Sequence, residues 1–177
     1  FIFYWQIAFT ERIERGYNWM LQYFYDNDLI NITNQEPKDW EEAIRISGKV
    51  LKEKELISDQ YIEDVIRDVR AFGPYIVIVP NVAMPHSSAE SQGVLGTGIG
   101  LTIFPTAISF EEGNSEKDAK LFFMLAAKNP EAHMENIANL SELLMREGVI
   151  EDLMTVHTMA DFESVMRKYD ESKERRD

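Results

Sequence analysis

The sequence predicts an α/β fold: a single-domain sandwich in which a mixed β-sheet carries helices on both faces. Three observations predict it. Two segments with helical periodicity lie between residues 39 and 70, three apolar runs of strand length follow between residues 75 and 126, and helical periodicity returns after residue 129. This order of elements is typical of a sheet layered with helices. With 177 residues, the chain is long enough to bury one core.

The first two predicted helices each begin at a residue suited to cap them. Asp39, followed three positions later by a glutamate, has the form of a capping box, and apolar residues then recur at helical spacing through Lys54. Ser58 is a good cap for the second helix, which we expect to end at Arg70, shortly before a Gly-Pro pair. Arg70 therefore belongs to the last turn of that helix.

The predicted strands occupy the middle of the chain. Residues 75–79 are apolar, largely β-branched and flanked by prolines, which predicts a buried strand. Residues 98–104 and 121–126 are two further apolar runs of strand length, and a short strand is expected around Ile108. These runs are the expected sheet.

The next predicted helix begins close to His133. An apolar stripe at helical spacing continues from this histidine, through Ile137, Leu140 and Leu144. We expect Gly148 to end this helix, and two shorter helices to follow at residues 150–156 and 161–168. His133 thus heads an otherwise apolar helix face.

Charge and composition exclude several function classes. The chain has 31 acidic and 18 basic residues, a net charge of -13, so it repels phosphate backbones and we expect no nucleic acid partner. It contains no cysteine, which rules out disulfides and thiolate chemistry. No apolar run reaches the roughly 18 residues that a membrane helix needs. These features are compatible with a cytoplasmic protein.

The two ends of the sequence differ from its middle. Residues 1–19 begin with FIFYWQIAF, which lacks the basic leader of a signal peptide, and we expect an extra helix that packs on the domain or on a second copy in a homo-oligomer. Residues 170–177 are charged and read as a frayed tail. The domain itself is expected to span residues 20–169.

One histidine stands in an unusually constrained stretch, NVAMPHSSAE. Pro85 fixes its own φ angle and restricts the residue before it, so the chain reaching His86 has few conformations to lose. Ser87 and Ser88 offer hydroxyl and amide donors beside the ring, a setting that suits a phosphate or another oxyanion. From these residues alone, a histidine in this position is more often an ordinary loop residue than a reactive group.

Two further residues could complete an anion site around His86. Arg70 ends one helix, and His133 begins another, where the helix N-terminus favours a negative ligand. Structural alternatives remain open for both. Arg70 could pair with Asp68 or Glu63, and His133 could lie at the edge of the core.

The run FGPYIVIVPNVAMPHSSAE resembles the enzyme IIA domain of the fructose/mannitol class of the phosphoenolpyruvate-dependent sugar phosphotransferase system. Arg70 lies sixteen residues before His86, and His133 lies forty-seven after it, as in that family. The Phe-Gly-Pro-Tyr start, followed by an apolar strand and a Pro-His pair, is closest to the ascorbate-type subgroup. The resemblance covers residues 20–168 and implies the same α/β fold.

The resemblance implies a cytoplasmic phosphoryl carrier. In the family, the histidine of this pair accepts a phosphoryl group from the histidine phosphocarrier protein and donates it to enzyme IIB, so His86 would be the phosphorylated nucleophile. His133 would donate to the phosphoryl group and Arg70 would clamp it, with Ser87 and Ser88 as weaker candidates. No metal or other cofactor is expected, and the membrane would be reached only through the permease complex.

The mechanism asks for a neutral imidazole held in line with the phosphoryl group. A hydrogen bond from the other ring nitrogen of His86 to a backbone carbonyl or a carboxylate would select the tautomer. We also expect an apolar rim for protein partners, formed by Met84, Val82 and Phe72.

The stretch after the Pro-His pair departs from the ascorbate-type pattern, which continues with Ala-Arg-Pro-Glu where this chain has Ser87, Ser88, Ala89 and Glu90. A basic residue is missing, so the sugar and the transport role stay open. The alternative is a regulatory module similar to the nitrogen-type enzymes IIA, whose phosphorylation state controls a partner. A metal site built on His86 and His133 is a third, weaker interpretation, because no carboxylate stands at ligand spacing.

Overall fold

The structure is a computed structural model that describes residues 19–87 and 91–174, with side chains up to residue 169. The expected N-terminal helix before Trp19, the residue Ser88 and the end of the tail lie outside these described ranges.

Six α-helices and five strands make up the described part of the chain. In chain order they are α1 (Trp19–Asp26), β1 (Ile30–Ile32), α2 (Trp40–Glu53), α3 (Asp59–Phe72), β2 (Val77–Val79), β3 (Asn81–Ala83), β4 (Gly98–Ser109), β5 (Asp118–Ala126), α4 (Pro130–Leu144), α5 (Val149–Met154) and α6 (Met159–Glu174). A single 3-10 turn, Ser115–Lys117, precedes β5.

The five strands form one mixed sheet in the order β1-β4-β5-β3-β2. Strand β1 is parallel to β4, and β3 is parallel to β5. The pairs β4–β5 and β2–β3 are antiparallel. The predicted mixed sheet is therefore confirmed.

Helices cover both faces of this sheet. On one face, Met124 of β5 lies against Gly48 of α2. Its neighbour Phe123 points to the opposite face, because successive strand residues alternate, and its ring centroid lies 5.9 Å from that of Phe24 in α1. All four residues are buried. The predicted layering on two faces is confirmed.

The predicted helices that fall on described residues are confirmed, with ends that differ by a few residues. Gly148 does not end α4, which stops at Leu144, but stands at the N-terminal cap of α5. The Asp39 carboxylate accepts the amide of Glu42 at 2.9 Å, as the capping pattern predicts. Helix α3 continues to Phe72 and ends at Gly73, whose positive φ of 83° is one that glycine adopts without strain. Arg70 lies in its last turn, as predicted.

The strand predicted as buried over residues 75–79 is shorter and partly exposed. Only Val77–Val79 is a strand, and Ile78 and Val79 are 45% and 40% exposed. The reason is its position at the sheet edge, where it has one neighbour, β3. A continuous apolar run does not distinguish an edge strand from a central one.

No helix in the described part of the chain is long and apolar enough to span a membrane.

Candidate active site

The parallel pairing of β3 and β5 brings the two candidate histidines together. Parallel strands end at the same edge of a sheet. Strand β3 ends at Ala83 and leads directly to His86, while β5 ends at Ala126 and leads to α4, which carries His133. The ring centroids of the two histidines are 5.4 Å apart.

The tautomer of His86 is set by a backbone carbonyl two residues earlier in the chain. Its Nδ1 lies 2.6 Å from the carbonyl oxygen of Met84. A carbonyl oxygen can only accept, so Nδ1 carries the proton and Nε2 keeps a free lone pair. This carbonyl is the acceptor that the sequence predicted in kind, although not by position.

The chain entering His86 is held on both sides. The amide of Met84 donates to Ile76 at 2.8 Å, and the carbonyl of Pro85 accepts the amide of Leu125 in β5 at 3.0 Å. The stiffness expected from the proline is thus reinforced by hydrogen bonds to two neighbouring segments. His86 itself is half-buried.

His133 lies in the first turns of α4, as predicted. Asn129 caps this helix by accepting the amide of Ala132 at 2.8 Å, and Asn136 ties it to the end of β5 by donating to the carbonyl of Ala126 at 3.0 Å. Burial lowers the pKa of His133 below its ordinary value, and the adjacent His86 lowers it further. The ring is therefore neutral near pH 7 and offers one N–H donor.

Protonation of His133 is expected to oppose folding. Its folded-state pKa lies below the unfolded value of about 6.5, so the unfolded chain binds the proton first as the pH falls. The free energy of unfolding should therefore decrease as pH drops through about 6.5, and level off below the folded pKa. Urea unfolding between pH 8 and pH 5 should show a smaller decrease for His133→Gln than for wild type. Equal pH slopes would contradict this prediction.

The cap of α4 should contribute measurably to stability. Asn129→Ala removes the acceptor for the Ala132 amide and is expected to cost about 1 kcal/mol of unfolding free energy. Asn129→Ser retains an oxygen acceptor and is the matched control, expected to lose less. Chemical denaturation compares the two variants, and equal losses would show that the cap bond is not the cause.

Tyr75 is a site residue that the sequence predicted only as part of a strand. Its hydroxyl donates to the carbonyl of His86 at 2.7 Å, and its ring meets the imidazole edge to face at a centroid distance of 5.4 Å. Partial burial, helped by the charge of Asp68, raises the pKa of Tyr75 to about 12. It therefore stays a neutral donor to the segment that carries the histidine.

Ser87 has both of its donors directed to protein groups. It is buried, its hydroxyl donates to Asp68 at 2.7 Å, and its amide donates to the hydroxyl of Tyr61 at 3.2 Å. A role as a phosphoryl donor stays a prediction and would require Ser87 to leave one of these partners. Ser88 lies outside the described residues.

Arg70 is paired with a residue that the sequence did not indicate. Its guanidinium donates to both carboxylate oxygens of Glu41 in α2, at 2.7 and 2.6 Å. Asp68 and Arg70 are two positions apart on α3, about 200° around the helix, so they face opposite directions. Asp68 points to Ser87 at the site, whereas Arg70 points away from Ser87 and toward Glu41 in α2. A clamp role for Arg70 stays a prediction and would require the Glu41 pair to open.

The prediction of an apolar rim is wrong for two of the three residues that it named. Val82 and Met84 are buried, at 0% and 5% exposure, because they continue an interior strand into the core. Phe72 is 78% exposed. Among the described residues, two exposed apolar side chains adjoin the histidines: Tyr75, whose ring contacts His86, and Met134, which follows His133 in the chain.

In the described part of the chain, no group of three or more His, Asp or Glu side chains is arranged to hold a metal ion.

Comparison with known proteins identifies the family. Residues 23–169 match the family of the phosphoenolpyruvate-dependent sugar phosphotransferase system, EIIA 2. The chain belongs to this family. It is therefore an enzyme IIA component, and its general role is that of a phosphoryl carrier in a sugar phosphotransferase system.

Individual relatives of this enzyme IIA differ in the sugar for which they are named. The mannitol-specific cryptic phosphotransferase enzyme IIA component of Escherichia coli is 41% identical over 118 residues, which cover 67% of this chain and 78% of the relative. Its solution structure has a TM-score of 0.68 to this chain and covers 80% of this chain and 93% of its own. The ascorbate-specific EIIA component of Escherichia coli is 31% identical over 111 residues, 60% of this chain and 71% of the relative.

The same fold has been solved in a complex. The complex of enzyme IIAMTL and phosphorylated enzyme IIBMTL from Escherichia coli contains a chain with a TM-score of 0.66 and 24% identity, matched over 79% of this chain and 94% of that chain. At this identity the likeness establishes the fold.

Proposed function

We propose that this enzyme IIA carries a phosphoryl group on Nε2 of His86. It accepts the group from the histidine phosphocarrier protein in the cytoplasm and passes it to enzyme IIB for sugar uptake. The observation that carries the proposal is the bond from Nδ1 to the Met84 carbonyl, since it leaves Nε2 unprotonated and nucleophilic.

The transfer needs positioning and charge stabilisation more than covalent assistance. The Nε2 lone pair of His86 forms a bond to phosphorus as the N–P bond of the donor phosphohistidine breaks. The Nδ1 proton stays on the ring, where the Met84 carbonyl accepts a stronger, charge-assisted hydrogen bond from the phosphorylated imidazolium. The retained ring charge makes the imidazole a good leaving group for the second transfer.

His133 is the neighbouring donor in this proposal. A neutral imidazole whose ring centroid lies 5.4 Å from that of His86 can donate one N–H to an oxygen of the transferring group. The N-terminal end of α4 adds a favourable partial positive charge at the same place. Arg70 would join the site only after releasing Glu41.

Protein partners are expected to dock on the exposed apolar side chains at the histidines. Tyr75 contacts the His86 ring, and Met134 follows His133 and is 63% exposed. An apolar centre with a charged surround is typical of such interfaces. With a net charge of -13, this chain should associate faster with partners whose docking surface is basic.

The carrier chemistry at His86 does not identify the sugar. The relatives are named for mannitol and for ascorbate, so permeases for these two sugars are the ones to test first.

The deciding experiment is reconstitution of the transfer chain. Incubation with phosphoenolpyruvate, enzyme I and the histidine phosphocarrier protein should add one phosphoryl group, seen by intact mass under conditions that preserve acid-labile phosphohistidine. Addition of enzyme IIB from the mannitol or the ascorbate system should then remove it. If no phosphoryl group is added although the donor is fully phosphorylated, the carrier proposal is overturned. Gain without transfer to any enzyme IIB would favour the regulatory alternative.

A further inference from the structure

One face of α3 holds both ends of the segment that follows His86. Asp68 accepts the hydroxyl of Ser87 at 2.7 Å, and Asp64, one turn earlier, accepts the hydroxyl of Ser91 at 2.6 Å. The two carboxylates thus anchor the residues on either side of positions 88–90.

A single arginine links the two anchors. The guanidinium of Arg67 lies 3.1 Å from Oδ1 of Asp64 and 3.2 Å from Oδ1 of Asp68. The other oxygen of each carboxylate, Oδ2, is the one that accepts a serine hydroxyl. The side chains of Asp64 and Asp68 are 10% and 18% exposed, so these charge-assisted bonds are partly shielded from water.

Ser87 is held by a second contact from the same helix. Its amide donates to the Tyr61 hydroxyl at 3.2 Å, and that hydroxyl donates to the carbonyl of Leu125 in β5. Tyr61 is fully buried, and burial raises its pKa, so the hydroxyl keeps its proton. The residue directly after His86 is therefore fixed to both α3 and the sheet.

We propose that Asp68 is a positioning residue for phosphoryl transfer, acting on His86 through Ser87, while Asp64 secures the far end of the segment at Ser91. The inference rests on the proposed phosphorylation of His86. Its physical basis is that a nucleophile displaced by a fraction of an ångström from the line of attack loses rate steeply. The Asp68–Ser87 bond determines where the chain leaves His86, and hence where the ring stands.

Two roles for Ser87 predict opposite effects of removing Asp68. If the Ser87 hydroxyl served the phosphoryl group directly, Asp68 would compete for it, and Asp68→Ala would raise the transfer rate or leave it unchanged. If the hydroxyl serves to position His86, Asp68→Ala and Ser87→Ala should slow transfer to a similar extent.

Rapid-quench measurement of phosphorylation by the phosphorylated histidine phosphocarrier protein separates these roles. We expect Asp68→Ala and Ser87→Ala each to lower kcat about tenfold with little change in the KM for the donor, and the double variant to be no slower than either. Asp68→Asn retains an oxygen acceptor for Ser87 and should recover most of the rate. Asp59→Ala is the matched control, since it removes an exposed carboxylate of the same helix that pairs with Lys52. A rate for Asp68→Ala equal to or above wild type would overturn the proposal.

A second readout does not depend on phosphoryl transfer. Nitrogen NMR of the free protein should report the Nδ1-protonated tautomer of His86 in wild type and Asp59→Ala, and a mixture of tautomers in Asp68→Ala and Ser87→Ala. If wild type failed to accept a phosphoryl group, the proposed function would fall, and these spectra would still decide whether Asp68 positions the ring. A His86 spectrum identical in all four proteins would overturn the positioning role.

Discussion

Alanine in place of His86 is expected to leave a folded protein that accepts no phosphoryl group. The variant removes Nε2, the ring nitrogen that stays unprotonated because Nδ1 donates to the Met84 carbonyl. The other imidazole at the site, His133, lies on a different element and is expected to act as a donor. Intact mass after incubation with phosphoenolpyruvate, enzyme I and the phosphocarrier protein should therefore show complete loss of the added group.

The control for this prediction is His157→Ala. His157 lies between α5 and α6, where its amide donates to Asp161 as part of the cap of α6, and an alanine keeps that amide. This variant should gain one phosphoryl group as wild type does. A phosphoryl group retained by His86→Ala would place the acceptor elsewhere, with His133 the first residue to examine.

Gly93→Ala is expected to lower the stability more than other substitutions near the site that add a single methyl group. A Cβ at this position would lie 2.3 Å from the backbone nitrogen of Tyr61 and 2.8 Å from its Cα. Neither segment can retreat easily, because the carbonyl of Gly93 accepts the amide of Ser58 at the start of α3 at 2.9 Å. We expect the unfolding free energy to fall by about 3 kcal/mol, at the upper end of the usual cost of overpacking.

Gly96→Ala is the matched control for this prediction. A Cβ there would approach the tip of the Leu56 side chain at 2.6 Å, and a flexible side chain can rotate away. Its loss should stay below about 1 kcal/mol. Chemical denaturation of both variants tests the comparison, and a loss of similar size in the two would contradict the argument from rigid backbone contact.

Elements that depend on local chemistry could be predicted from the sequence. Asp39 caps α2 because its carboxylate reaches an amide three residues along the chain, and this geometry needs no distant partner. The apolar runs 98–104 and 121–126 indicated most of β4 and β5, but the separate short strand expected around Ile108 is wrong, because Ile108 continues β4. Strands β1 and β3 were not predicted, because each has three residues, too few for a period to be read.

The candidate site also has features that local sequence predicts and features that it does not. Local sequence indicated a stiff Pro-His support and a backbone or carboxylate acceptor for the second ring nitrogen. The identity of that acceptor, the Met84 carbonyl, required the three-dimensional structure. So did the role of Tyr75, which contacts His86 only because β2 and β3 fold back on each other.

By itself, the sequence determined the fold class, the capped helices, the exclusion of thiol chemistry and the family to which the chain is similar. Only the tertiary structure decided which side chains meet: Arg70 with Glu41, Ser87 with Asp68, and His86 with His133. The physical reason is range. Caps and periodicity act over three or four residues of one segment, whereas a hydrogen bond of about 3 Å between distant residues depends on how two helices and a parallel strand pair are packed together.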